Sequence, residues 1–255
     1  MKLPFRRIIK YFLTIVAAVV GVFAVEVLAA IYGKSDTSNF VNPDHRLRVF
    51  GQTGARLIYV VIGDSTGAGR GAPYLDGIAV KTAEHLAKDS VVAMTNFSIS
   101  GAVAADVIKE ELKDAAALRP DLVLLSVGAN DATHFTPSSK LSSELNTIVT
   151  ALIQANPDVK IVVTGSPQLG SVPRFAQPLR WFAGSQTARV NRVFAKVVQA
   201  RKLTWAHIAD ETGSIFAKDH TLFAADDFHP NAKGYAVWMP ILNKALDQAL
   251  TSDPR

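Results

Sequence analysis

The chain has 255 residues, no cysteine and a formal net charge of +5. The absence of cysteine excludes a disulfide framework, a thiolate metal site and a cysteine nucleophile. The charge is uneven, because the first 35 residues contribute +4 and the remaining 220 residues contribute only +1. This nearly neutral body has no basic run, so the sequence predicts no nucleic-acid partner.

The N-terminal residues 1–35 contain a long apolar stretch. Its 22 residues, from Tyr11 to Tyr32, span about 33 Å as a helix, enough to cross a hydrocarbon core of about 30 Å. Four basic residues precede it, so the positive-inside rule predicts a cytoplasmic N-terminus and an exported body. We expect a single-pass signal anchor in the cell membrane that carries Glu26 within its span. The alternative is a secreted protein whose signal peptide is cut after Ala29.

The rest of the chain is predicted to be a polar connector, 36–56, followed by one α/β domain, 57–255. The connector is punctuated by Gly, Ser, Asn, Asp and Pro and has no sustained period. In the domain, five apolar runs predict strands at 57–62, 91–97, 122–127, 160–164 and 203–208. Amphipathic stretches near 77–88, 103–117, 138–155, 186–201 and 232–250 predict helices. Because no run alternates cleanly between apolar and polar residues, we expect a parallel sheet covered on both faces, in three layers.

A serine follows the first predicted strand, in the sequence Gly63-Asp64-Ser65. Sites in open α/β sheets lie at the carboxyl ends of the strands. A serine at this turn presents its hydroxyl at the sheet edge, and its N–H lies at a helix start, where negative charge is stabilised. Ser65 is therefore a candidate nucleophile. A helix N-cap is the alternative role for it.

Partners for such a nucleophile follow other predicted strands and precede the last helix. His229 is a candidate base, and Asp226 lies three residues before it, within reach of the imidazole in a single turn. Asn130 could donate a side-chain amide to an oxyanion, and Gly101 a backbone N–H. An Asx-turn for Asn130 and a helix-start turn for Gly101 are the alternatives.

These four separated motifs, in this order, resemble those of the SGNH hydrolases, the GDSL-type esterases and lipases. The resemblance covers roughly residues 57–250 and is to a bacterial member that is membrane-anchored or secreted. It implies a flavodoxin-like αβα sandwich with a five-stranded parallel sheet. It also implies that Ser65 is the nucleophile, His229 the base and Asp226 the carboxylate that orients it. The N–H groups of Ser65 and Gly101 and the Asn130 side chain would form the oxyanion hole. The first block reads GDST where the family name has GDSL.

The expected function is the cleavage of carboxylic esters through an acyl-enzyme on serine, with no metal and no cofactor. The substrate would be a small-molecule, lipid or glycan ester. The alternative within the same chemistry is a deacetylase or acyltransferase that acts on glycans or glycolipids of the cell envelope, where export would place the site.

A long segment without periodicity, 167–184, is a candidate lid over the serine. It contains three prolines and the aromatic residues Phe175, Trp181 and Phe182, which would contact an acyl chain. The alternative is a loop whose aromatic side chains pack on the sandwich.

Two remoter alternatives concern the whole domain. The pattern Gly67-x-Gly69-x-x-Ala72 resembles a dinucleotide-binding fingerprint, but no acidic residue clearly ends the second predicted strand. The other alternative is a non-catalytic binding module on the same fold.

Overall fold

The computed structural model describes residues 5–32 and 40–252. Its first helix, α1, runs from Phe5 to Tyr32. Within α1, the segment Ile9–Ala30 has a mean hydropathy of 2.5 and is long and apolar enough to cross a membrane. Most of its side chains are exposed. The last residues of the predicted N-terminal segment, 33–35, and the first part of the predicted connector, 36–39, lie outside the described residues.

The sheet has six strands, which in chain order are β1 (Arg48–Phe50), β2 (Ala55–Gly63), β3 (Ser90–Asn96), β4 (Leu122–Ser126), β5 (Lys160–Val163) and β6 (Thr204–Trp205). Their spatial order is β1-β3-β2-β4-β5-β6. The strands β2 to β6 pair in parallel, whereas β1 pairs antiparallel with β3. The prediction of a five-stranded, wholly parallel sheet was therefore wrong. The additional strand is β1, which lies in the predicted connector. It is only three residues long, too short to show a hydrophobic period of its own. It covers the edge that β3 would otherwise expose.

Helices lie on both faces of the sheet, as the α/β prediction requires. They are α2 (Ser65–Ala68), α3 (Ile78–Leu86), α4 (Ala104–Asp106), α5 (Leu112–Ala117), α6 (Ala129–Thr133), α7 (Ser138–Ala155), α8 (Leu179–Arg201), α9 (Ile208–Lys218) and α10 (Ala232–Thr251), with a π-helical turn at Val107–Glu111 between α4 and α5. Helix α10 packs against α3 and α9, and α7 packs against α5 and α8.

The start of α8 and the end of β6 differ from the sequence-based expectations, and helix α9 was not predicted. Helix α8 begins at Leu179, so the segment predicted as a loop over 167–184 is helical in its last part. Its prolines and Gly184 obscured this start in the sequence, and the group that caps the helix comes from a distant part of the chain. The last strand is short, Thr204–Trp205, because α9 starts at Ile208, where strand was expected.

The two central strands place the candidate nucleophile. Every residue of β4 is buried, and so are the last five of β2. Gly63 ends β2 with φ of 138°, and a Cβ there would lie 1.9 Å from the Ser126 carbonyl oxygen. Only glycine allows this close approach. The turn that follows is therefore fixed tightly against the end of β4, where Asp64 N–H donates to the same carbonyl at 2.8 Å.

Candidate active site

Ser65 is the first residue of the short helix α2, directly after the turn at the end of β2. The side chain of Asp64 caps this helix, since it accepts hydrogen bonds from the N–H and the hydroxyl of Thr66 at 2.9 and 2.7 Å. The residue in the capping position is thus Asp64, and the Ser65 hydroxyl is left for another partner. Ser65 is buried, at 4% exposure.

That partner is His229, in the loop before α10. His229 Nε2 lies 3.0 Å from Ser65 Oγ, and His229 Nδ1 lies 2.5 Å from Asp226 Oδ2. All three residues are buried. The structure therefore brings the three residues predicted at separate places in the sequence into one continuous hydrogen-bonded chain. The serine and the histidine are 164 positions apart.

The carboxylate of Asp226 is held in its charged form. Its other oxygen accepts hydrogen bonds from the N–H groups of Phe228 and His229, both at 3.0 Å. Burial acts to raise the pKa of Asp226, but the hydrogen bonds and charge of His229 outweigh it and lower the pKa to about 2. A charged acceptor at Nδ1 requires the proton of the neutral imidazole to lie there. Nε2 is thereby left to accept from the Ser65 hydroxyl.

The loops that carry Gly101 and Asn130 are joined to each other. Asn130 Nδ2 donates to the Ala102 carbonyl at 2.9 Å, which uses one of its two N–H groups. Gly101 has φ of 94°, and a Cβ there would meet nothing within 4 Å, so its backbone is open to approach. The Ile99 N–H also donates to the Gly63 carbonyl at 2.9 Å. These contacts fix the loops after β3 and β4 beside the serine turn.

Two buried carboxyl groups, Asp64 and Glu111, lie in and beside the serine turn, and sequence reasoning assigned a role to neither. Glu111 is wholly buried and accepts a hydrogen bond from Gly63 N–H at 2.7 Å. Burial and the nearby charge of Asp64 raise the pKa of Glu111 to about 9. Burial also raises the pKa of Asp64, to about 6. Glu111 lies between Val107 and Ala115 on an apolar helix face. An ionisable residue at such a position is the sequence feature that could have indicated a buried carboxyl group.

The predicted connector also reaches the site. Asn42 Oδ1 accepts a hydrogen bond from the N–H of Ser100 at 2.8 Å, next to Gly101. Arg70 Nη1 donates to the Ser100 hydroxyl at 2.8 Å, and its guanidinium lies over the ring of Phe40. A single asparagine in a polar segment belongs to no recognisable motif, so nothing in the sequence indicated that Asn42 would reach the site.

The three aromatic residues of the candidate lid have different environments. Phe175 is buried and contacts the ring of Phe228, the neighbour of His229, with centroids 5.8 Å apart. Phe182 lies in the first turns of α8 and contacts Phe135 at 5.7 Å. Trp181 is 72% exposed. The structure thus places only Phe175 close to the histidine.

A small cavity of about 30 Å³ opens beside Ser65 and His229. It is lined mainly by apolar side chains, among them Leu169, Val172 and Trp238. Its volume is about the volume that one water molecule occupies in the liquid.

A serine at the carboxyl edge of the parallel strands lies within hydrogen-bond distance of a histidine, which in turn contacts a buried carboxylate. This arrangement on an α/β fold is that of a candidate serine-hydrolase site. The chain belongs to the GDSL-like lipase/acylhydrolase family, whose model matches residues 61–237. The resemblance drawn from the four motifs is thereby confirmed.

Individual relatives are more distant. A GDSL-like esterase from Mycobacterium tuberculosis is 27% identical over 205 residues, which are 75% of this chain and 62% of that protein. The chain thus matches less than two thirds of the length of this curated relative. Among solved structures, TesA superposes with a TM-score of 0.63 at 19% identity and covers 75% of this chain and 99% of its own. Phospholipase A1 from Streptomyces albidoflavus has a TM-score of 0.55 at 20% identity, with coverages of 75% and 100%. At such identities these structures share the fold alone.

Proposed function

We propose that this protein hydrolyses carboxylic esters through an acyl-enzyme on Ser65. The observation that carries the proposal is the unbroken hydrogen-bonded chain from Asp226 through His229 to Ser65. Membership of the GDSL-like family supports the same reaction class.

In the first half of the reaction, Ser65 Oγ attacks the carbonyl carbon of the ester and His229 Nε2 takes the hydroxyl proton. The carbonyl oxygen becomes an oxyanion, which the N–H groups of Ser65 and Gly101 and the free N–H of the Asn130 amide would stabilise. When the tetrahedral intermediate collapses, the bond to the alcohol oxygen breaks and His229 returns the proton to it. The acyl group stays on Ser65.

In the second half, His229 accepts a proton from water as the water oxygen attacks the acyl carbon. The bond to Ser65 Oγ then breaks, the proton passes to that oxygen, and the acid leaves. Asp226 stays charged throughout, because its pKa of about 2 lies far below neutral pH. Its role is to hold the imidazole in one tautomer and to stabilise the imidazolium that forms twice in each cycle.

We also propose that α1 is retained as a membrane anchor and that the domain lies on the outer side of the membrane. Four basic residues at one end of the apolar segment support this orientation. Contacts between α1 and the domain support retention, since cleavage after Ala29 would remove Glu26, whose carboxylate accepts a hydrogen bond from Leu179. The intact mass of the protein from the membrane fraction tests this proposal, and a chain beginning at Ala30 would contradict it.

The test of the catalytic proposal is labelling of the full-length protein with a fluorophosphonate, followed by peptide mapping, together with turnover of p-nitrophenyl acetate. We expect label on Ser65 and loss of turnover in Ser65→Ala. A second serine, Ser98, lies close to the same turn. Ser98→Ala is therefore the matched control, and Ser65 should still be labelled in that variant. Equal turnover by the wild type and Ser65→Ala would overturn the proposal.

A further inference from the structure

An apolar groove of about 480 Å³ lies between the end of α1 and the domain. We call it the anchor groove. One wall is formed by Phe23, Val27 and Ala30 of α1, and the facing wall includes Phe135, Phe175 and Phe182. Its volume falls within the range of about 300–1,000 Å³ that is usual for ligand sites.

Two polar contacts hold α1 in place as a wall of this groove. Glu26 Oε2 accepts a hydrogen bond from the N–H of Leu179 at 2.8 Å, and Arg174 Nε donates to the Ala30 carbonyl at 2.7 Å. The first contact satisfies an N–H at the start of α8, and the second a carbonyl in the last turn of α1. Both groups lack partners within their own helices. Phe23 adds a ring contact with Phe182, with centroids 5.6 Å apart.

The anchor groove adjoins the catalytic chain. Leu169 lines both the groove and the small cavity beside Ser65. Phe175, on the groove wall, contacts Phe228, whose ring lies 4.9 Å from that of His229. An acyl chain attached to Ser65 that outgrows the 30 Å³ cavity would therefore meet the groove next.

The position of the groove along α1 favours a lipid as its occupant. Its α1 wall lies in the last two turns of the apolar segment Ile9–Ala30, at the end opposite the basic residues. This end would lie at the outer membrane interface. Trp181 and Phe135 are exposed beside it, at 72% and 56%, and aromatic side chains are enriched at that depth. A groove lined almost wholly by apolar side chains would be costly to leave open in water. At the membrane interface, lipid chains would be available to fill it.

We propose that the anchor groove takes the acyl chain of a membrane lipid ester, which enters sideways from the outer leaflet along α1. The substrate class is thus a long-chain lipid ester, and α1 is part of the substrate site as well as an anchor. This inference rests on the proposed ester hydrolysis for its chemistry, and it adds no chemical step.

The first test does not depend on turnover. Full-length Ser65→Ala protein is placed in phosphatidylcholine vesicles that contain a palmitoyl phosphatidylcholine with a diazirine at the end of its acyl chain, and the adducts are mapped after irradiation. We expect adducts on domain residues of the groove, 132–135 and 179–183, in addition to those on α1. Val27→Trp should narrow the groove and reduce the domain adducts at least fivefold. Val25→Trp is the matched control, because Val25 is 65% exposed on the opposite side of α1, and it should leave them unchanged.

The second test measures ester hydrolysis by variants that retain Ser65. We expect Val27→Trp to lower the ratio of palmitate-ester to acetate-ester hydrolysis at least tenfold relative to Val25→Trp. Adducts confined to α1, or an unchanged ratio in Val27→Trp, would overturn the groove proposal while ester hydrolysis itself stands. Domain adducts that depend on Val27, in a protein that hydrolyses neither ester, would support the lipid groove and overturn the proposed reaction.

Discussion

Glu26 and Leu179 are 153 positions apart, yet the carboxylate of the first caps the helix that begins at the second, at 2.8 Å. Helix α8 has Pro178 in its capping position, and that residue provides no side-chain hydrogen bond. The carboxyl group also lies at the positive end of the α8 dipole. An acidic residue that is costly in a membrane span therefore has a structural partner at the end of that span.

We expect Glu26→Ala to destabilise the full-length protein by about 0.5–2 kcal/mol, the usual cost of a lost helix cap. For a protein of this size, each kcal/mol lowers Tm by about 2–4 °C. Thermal melting in detergent micelles measures the change. Glu26→Gln keeps an acceptor oxygen and should lose less than Glu26→Ala. Glu84→Ala, at an exposed position of α3 where the carboxylate pairs with Lys81, controls for the loss of a charge and a surface ion pair. An equal effect there would contradict the capping role.

Asp226→Asn should lower kcat for p-nitrophenyl acetate by about 10⁴-fold, because an amide no longer fixes the imidazole tautomer or stabilises the imidazolium. The KM should change little. The adjacent Asp227→Asn is the matched control, since Asp227 has φ of 55° and asparagine tolerates that conformation. A larger loss in Asp227→Asn than in Asp226→Asn would show that the carboxylate was wrongly assigned.

Asn130→Ala should lower kcat by about 10²–10³-fold if its amide stabilises the oxyanion. The same change removes the hydrogen bond to Ala102, so melting must be measured beside kinetics. Asn146 likewise donates to a backbone carbonyl, that of Ser142 in α7. Asn146→Ala should leave kcat near the wild-type value. A kcat in Asn130→Ala within threefold of wild type would remove this residue from the mechanism.

Stability should fall as pH rises from about 5 to 9, because Glu111 has a pKa near 9 in the folded state and an ordinary value when unfolded. Over this range the folded protein keeps a proton on Glu111 that the unfolded chain releases. The contribution of Glu111 to the free energy of unfolding is therefore complete below the pKa of the unfolded state and is lost as the pH rises through the pKa of the folded state. The slope from one such group is at most about 1.4 kcal/mol per pH unit.

Glu111→Gln isolates that group, since its amide oxygen still accepts from Gly63 N–H but does not titrate. We expect urea unfolding at a series of pH values to give a flatter profile for Glu111→Gln than for wild type over pH 5–9. Glu110→Gln, on the neighbouring exposed residue, should leave the profile as it is. Parallel profiles for wild type and Glu111→Gln would contradict the prediction.

Most of the sheet could be predicted from the sequence because buried parallel strands appear as apolar runs, here of five to seven residues. Strand β1 could not, since Arg48–Phe50 owes its conformation to pairing with β3. The start of α8 was missed for a related reason, because its cap is Glu26. The roles of Ser65, Gly101, Asn130, Asp226 and His229 remain predictions that the experiments above address.

The sequence by itself determined the apolar N-terminal span, the alternation of strands and helices and the family, because each depends on residue type and spacing along the chain. Only the tertiary structure decided that Glu26 caps α8, that Glu111 is buried beneath the serine turn, and that α1 forms a wall of the anchor groove. Each of these depends on a partner far away in the sequence. Spacing along a chain carries no information about which distant surface a side chain will meet.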